Sequence, residues 1–142
     1  MIIIVDFGSQ TTHLIARRLK ELGVETEIIS PEETPRFAKA SAGKAKGIIL
    51  SGGPSSVYEK NAPSVNVDIF RLGIPILGIC YGLQLTAHLL GGKVVSGKKE
   101  YGPAELQVKS HKLKVTDKLP QQFTVWMSHG DSVVSLPGNF KV

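Results

Sequence analysis

The sequence predicts an α/β fold, an open and mostly parallel sheet with helices on both faces. Three observations carry that prediction. Short apolar runs recur at residues 2–5, 24–29, 47–50 and 74–79, segments with helical spacing or helix-sized gaps separate them, and glycine-rich turns follow several of the runs.

The first run, IIIV at 2–5, reads as a buried parallel strand with Gly8 and Ser9 behind it. Over residues 11–22, Leu14, Ile15, Leu19 and Leu22 recur at helical spacing, and Gly23 stands where such a helix ends. Residues 24–29 then give a second strand, completing the opening of a βαβ unit. Residues 31–43 are rich in proline, charge and small side chains and read as a loop or a short frayed helix. A third strand at 47–50 runs into SGGPSSVY, a turn cluster. A short helix near 67–72, a strand at 74–79 and a helix at 82–90 follow, the last stopped by Gly91 and Gly92. After Lys93 the texture changes: residues 106–108, 112–115 and 124–127 read as short strands without long helices between them, so an antiparallel or peripheral segment is expected.

A chain of 142 residues suits one domain, 1–142. It stops directly after LPGNFKV with no closing helix or polar tail, which predicts a domain whose C-terminal part is missing. The net charge of +5 favours soft association with anions and is weak evidence for nucleic acid, so no nucleic-acid partner is expected. The apolar start MIIIV is too short for a signal peptide or a membrane span, which gives a cytoplasmic protein without a membrane partner as the expectation. One cysteine forms no internal disulfide, and no two histidines are spaced as a metal pair, so no metal site is expected.

That cysteine, Cys80, sits in GICYG, where a strand turns into a helix. This is the pattern of a nucleophile elbow: the turn pushes the side chain out above the strand ends, and Gly78 and Gly82 remove side chains that would collide with neighbouring backbone. The start of the helix also favours a thiolate through its free amides. The plainer reading is a small buried hydrophobe at a strand end. SGGPSSV at 51–57 ends another strand on the same side of the sheet, where its glycine amides can hold developing negative charge; read alone it is equally a surface turn. Among the histidines, His88 lies more than two turns along the cysteine's own helix, His13, early in the first helix, either faces the strand ends or is a plain surface residue, and His111 reads as solvated. His129, in the polar loop MSHGDSV, either contacts a ligand or caps a turn. None is a convincing base.

DFGSQ at 6–10, ARRLKELGV at 16–24, GIILSGGPSSVY at 47–58, PILGICYGLQL at 75–85, LGG at 90–92, EYGPAEL at 100–106 and VWMSHGDSV at 125–133 resemble the class I glutamine amidotransferases, and within them the GMP synthase branch. The resemblance runs from end to end and implies a flavodoxin-like amidotransferase fold. It implies a Cys, His, Glu triad that hydrolyses L-glutamine through a γ-glutamyl thioester on Cys80, with the backbone N–H groups of Gly53 and Tyr81 as the oxyanion hole. Glutamine would lie against Gln84, Ser128, Gly130 and Asp131. No cofactor is implied for this domain. The ammonia would pass to an ATP pyrophosphatase domain or subunit, which uses ATP and magnesium to convert XMP to GMP, and the lysines between Lys93 and Lys118 either face that partner or form a solvated surface. Thr11 departs from the family, which commonly has tyrosine there. The family's histidine and glutamate lie in an HPE element, and HPE does not occur in these 142 residues. Two alternatives stay open: an amidotransferase serving a different acceptor, and a noncatalytic partner or regulatory module that lacks the base.

Overall fold

The computed structural model describes residues 1–40, 43–112 and 116–141. Four parallel strands form the first sheet: β1 (Ile2–Val5), β2 (Thr26–Ile29), β3 (Gly47–Leu50) and β4 (Ile76–Gly78), side by side in the order β2-β1-β3-β4. Their register is continuous, with Ile4 beside both Ile28 and Ile49, and Leu50 beside Gly78. Helices α1 (Thr12–Glu21), α2 (Thr34–Ala40) and α3 (Tyr81–Leu89) complete this half, with 3-10 turns at Pro31–Glu33 and Val67–Arg71.

The strand order explains the helices on both faces. The step from β1 to β2 moves one way and the step from β2 to β3 crosses back over β1, so right-handed crossovers put α1 and α2 on opposite faces. Side-chain alternation follows: Ile3, Val5, Ile48 and Leu50 enter one buried cluster with Phe37, Ile69, Tyr81 and Leu85. Ile2, Ile49 and Leu77 line a groove on the other face with Leu19 of α1. At the end of α1, Gly23 takes φ +74° and the Val24 N–H reaches back to Leu19 O at 2.9 Å, a C-cap that side chains with a Cβ adopt poorly.

The structure shortens one expected element and sharpens another. The strand expected at 74–79 pairs only over Ile76–Gly78, because the chain must turn at Cys80 to start α3 one residue earlier than the spacing suggested. The segment at 31–43 is helical over Thr34–Ala40, introduced by Ser30 and Glu33, whose side chains cap each other's backbone in a capping box.

The region after Lys93 is antiparallel, as expected, and its strands are much longer than expected. β5 (Lys93–Gln107) and β6 (Gln122–Ser135) pair along their whole length as a two-stranded ribbon. MSHGDSV therefore belongs to a strand and not to a polar loop. The strand expected at 112–115 falls almost wholly outside the described residues. Among the described residues no helix is long and apolar enough to cross a membrane.

Candidate active site

In a sheet of this order, ligands sit beyond the carboxyl ends of the strands near the point where the order reverses, between β1 and β3. The loops after β1, β3 and β4 meet there. Asp6 shapes the first, its Oδ1 accepting from the Gly8 N–H at 3.0 Å and from the Thr12 hydroxyl at 2.8 Å. Ser51, fully buried, fixes the second: its Oγ accepts from the Phe7 N–H at 3.1 Å and donates to Gly52 O at 2.9 Å.

Cys80 makes the third. It has φ 48° and ψ −110°, the only non-glycine residue with positive φ among those described, a conformation costing on the order of 1–3 kcal/mol. The neighbours impose it. Ile79 N–H donates to Leu50 O at 2.9 Å and Gly82 N–H to Ser51 O at 3.0 Å, so both sides of the turn are tied to the end of β3. A Cβ on Gly78 would lie 2.7 Å from Leu83 N, and one on Gly82 would overlap the Leu50 carbonyl. The two glycines are thus demanded by close approach, and the strained turn presents an exposed thiol above the sheet.

The same close packing places the glycine loop. A Cβ on Gly52 would be 3.7 Å from the Cys80 Cβ, which measures how near the loop passes. At Gly53 a Cβ would sit 2.6 Å from Phe7 O, so only glycine lets the chain pass there. Tyr81 opens α3, and its N–H has no acceptor within the helix. Its buried ring packs on Phe7 with centroids 5.2 Å apart, and its hydroxyl donates to Pro63 O at 2.5 Å, which holds the start of the helix still.

The ribbon closes the site from above. Its register slips between Ser96↔Asp131 and Glu100↔His129, so residues 97–99 oppose Gly130 alone, a bulge beside the cavity. Asp131 is buried; its backbone O accepts from Gln84 Nε2 at 2.8 Å, and its Oδ2 accepts from Ser56 Oγ at 2.5 Å. The Tyr58 hydroxyl donates to Val94 O at 2.6 Å, and its ring meets His88 edge-on.

The result is a cavity of about 490 Å³, a size ordinary for small-molecule sites. Cys80, Gly53, Tyr81, Gln84, Ser128, Gly130 and Asp131, all singled out from sequence, line it together. His129 lines it as well, whereas His13 and His111 are exposed elsewhere. Ser56, Glu59, Ser96, Gly97 and Tyr101 also line it and were not singled out. Ser56 lay inside a quoted motif, and Ser55 beside it lines the cavity too, but nothing in SGGPSSV tells which serine bonds to Asp131. The bulge that brings in Ser96 and Gly97 had only the glycines as a signal.

Although Cys80 is exposed, the loops packed around it partly desolvate its thiol and push it above its ordinary range. The direction is opposite to the lowering expected from the helix amides. Burial, and secondarily the Glu59 carboxylate, also raise the Tyr81 phenol, which keeps its hydroxyl a donor. Among the described residues no three His, Cys, Asp or Glu side chains cluster as a metal site would need.

A parallel sheet in this order, with a cysteine at a strained strand-to-helix turn beside a glycine loop, defines an α/β protein that presents a thiol at the carboxyl ends of its strands. Comparison with known proteins makes the class specific. The family model for class-I glutamine amidotransferases matches residues 3–142. A GMP synthase [glutamine-hydrolyzing] of Borrelia garinii subsp. bavariensis is 50% identical over 141 residues, covering 99% of this chain and 26% of its own length. That of Ligilactobacillus salivarius is 52% identical over 143 residues, again 99% of this chain and 27% of the relative. The crystal structure of a putative GMP synthase subunit from Thermoplasma acidophilum superposes with a TM-score of 0.77 at 31% identity, over 99% of this chain and 69% of that one. The chain belongs to the class-I glutamine amidotransferase family. It spans about a quarter of the length of the curated relatives it matches.

Proposed function

We propose that residues 1–142 belong to one amidotransferase domain that hydrolyses L-glutamine to glutamate and ammonia for GMP synthesis, and that they supply its nucleophile, oxyanion hole and glutamine site. Cys80 attacks the side-chain amide carbon, the carbonyl oxygen becomes an oxyanion facing the Gly53 and Tyr81 amides, and collapse expels ammonia to leave a γ-glutamyl thioester that water cleaves. Gln84, Ser128, Gly130 and Asp131 surround the amino-acid end of glutamine. The observation that carries this reading is the strained, exposed Cys80 set between the glycine loop and the first amide of α3.

Because burial raises the thiol, the reaction needs a base to take its proton. In the family that base belongs to the HPE element, which residues 1–142 do not contain. Ammonia passes to an ATP pyrophosphatase domain or subunit, to which ATP and magnesium belong and which aminates XMP to GMP. The names of the relatives support that acceptor over others. This reading gives a cytoplasmic enzyme whose partners are glutamine and the synthetase, not nucleic acid or membrane.

The test uses the full-length polypeptide, with its synthetase if the two are separate chains. With ATP, magnesium and XMP, GMP should form from glutamine and from free ammonium. Cys80→Ala should abolish the glutamine-dependent reaction and leave the ammonium-dependent one intact. Unchanged glutamine-dependent synthesis in Cys80→Ala would refute the proposal.

A further inference from the structure

The loop after β3 carries the Gly53 amide, and three side chains hold that loop in different directions. Ser51 fixes its start to Phe7 and Gly52. Tyr58 ties its end to Val94 of β5, and Ser56 ties its middle to the Asp131 carboxylate of β6. Asp131 is 7% exposed, and its backbone carbonyl accepts from Gln84 of the nucleophile helix. The glycine loop, α3 and the ribbon therefore meet at one buried residue, and Ser56 joins the loop to it.

We infer that Ser56 is a positioning residue for acylation of Cys80: its bond to Asp131 sets the Gly53 amide against the oxyanion and couples it to the strand bearing Ser128 and Gly130. The inference rests on the glutaminase reading above and deepens it. An amide donor stabilises an oxyanion only when held within a fraction of an ångström, and a misplacement of about 1 Å costs on the order of 100-fold in rate. Gly53 runs so close to Phe7 that a Cβ on it would lie 2.6 Å from Phe7 O, which leaves little room on that side to recentre it. Without the Ser56 hydroxyl, the loop keeps its two ends and loses the constraint between them.

The experiment is single-turnover acylation of the full-length polypeptide by glutamic acid γ-monohydroxamate, nearly the size of glutamine. The C–N bond breaks as the C–S bond forms, and the thiol proton leaves on hydroxylamine, a weaker base than ammonia that depends less on an acid catalyst. Thioester is read by intact mass after acid quench, across probe concentrations. Ser56→Ala should lower the limiting acylation rate roughly 10- to 100-fold while half-saturation moves less than about threefold. Ser56→Thr, which keeps the hydroxyl, should recover most of the rate, and Ser56→Val, of the same shape without it, should not. Alkylation of Cys80 by iodoacetamide, which forms no oxyanion, should proceed at the wild-type rate in all three.

Wild-type acylation with an equally fast Ser56→Ala overturns this inference alone. So does a loss shared by iodoacetamide alkylation, or equal rates for the Thr and Val variants, a comparison that stands even if the alanine variant does not fold. No thioester on the wild-type chain overturns the glutaminase reading and this inference with it.

Discussion

The parallel sheet and the antiparallel ribbon build the same cavity by opposite means. Around the sheet, position comes from close approach of backbone: Gly53 against Phe7, Gly78 against Leu83, Gly82 against Leu50. The ribbon is joined to this frame by Val94, buried in the core cluster with Val133 against it, and by side-chain bonds, Ser56 and Gln84 to Asp131 and Tyr58 to Val94, while Tyr101 and Trp126 stand exposed. The difference teaches that the thiol and the glycine loop are set by a rigid, glycine-dependent frame, while the cavity wall around Asp131 is aligned by hydrogen bonds that substitutions can remove singly.

Gly82→Ala should break the frame most severely. Its methyl overlaps the Leu50 carbonyl with no room to relax, a loss of about 3 kcal/mol or more, read as a collapse of the thermal unfolding midpoint. By contrast Gly52→Ala meets only ordinary contacts and should fold, so equal damage at both sites would break the comparison. Ser51→Ala should cost about 1–3 kcal/mol in denaturant unfolding, because it strands the buried Phe7 N–H.

The raised thiol gives a pH test. Since burial keeps Cys80 protonated above the ordinary thiol range, its alkylation by iodoacetamide should climb about tenfold per pH unit and level off at higher pH than for a free cysteine. A plateau already reached at neutral pH would show the helix amides winning instead. The smallest effect belongs to an exposed position of the ribbon. Trp126 is 77% exposed, and Trp126→Thr should change stability by no more than about 0.5 kcal/mol.

The two regions were also unequally legible in the sequence. IIIV and GIIL are buried on both faces of a parallel sheet, so they appear as continuous apolar runs that nothing interrupts. The elbow was legible for the same reason that it is rigid: only glycine fits at positions 78 and 82, so the motif is written in residue types. The ribbon gives no such signal. Gly97, Gly102, Pro103 and Gly130 break its alternation, and beyond the buried Val94 apolar side chains such as Ala104, Val125 and Met127 are only half-buried, so two strands of 15 and 14 residues read as short pieces. Ser56 was illegible because Ser55 beside it is chemically identical, and only the fold decides which one meets Asp131. Cys80 was recognised correctly as exposed at a helix start, but the balance of amides against desolvation depends on how closely the loops pack around it.

The most direct measurement of the central claim, that frame and wall together make a glutamine site around a nucleophilic Cys80, is intact-mass analysis of the full-length polypeptide after incubation with 6-diazo-5-oxo-norleucine. The account predicts one covalent adduct per chain, suppressed by excess glutamine and absent from Cys80→Ala. An adduct that persists in Cys80→Ala, or a folded wild-type chain that remains unlabelled, would contradict it.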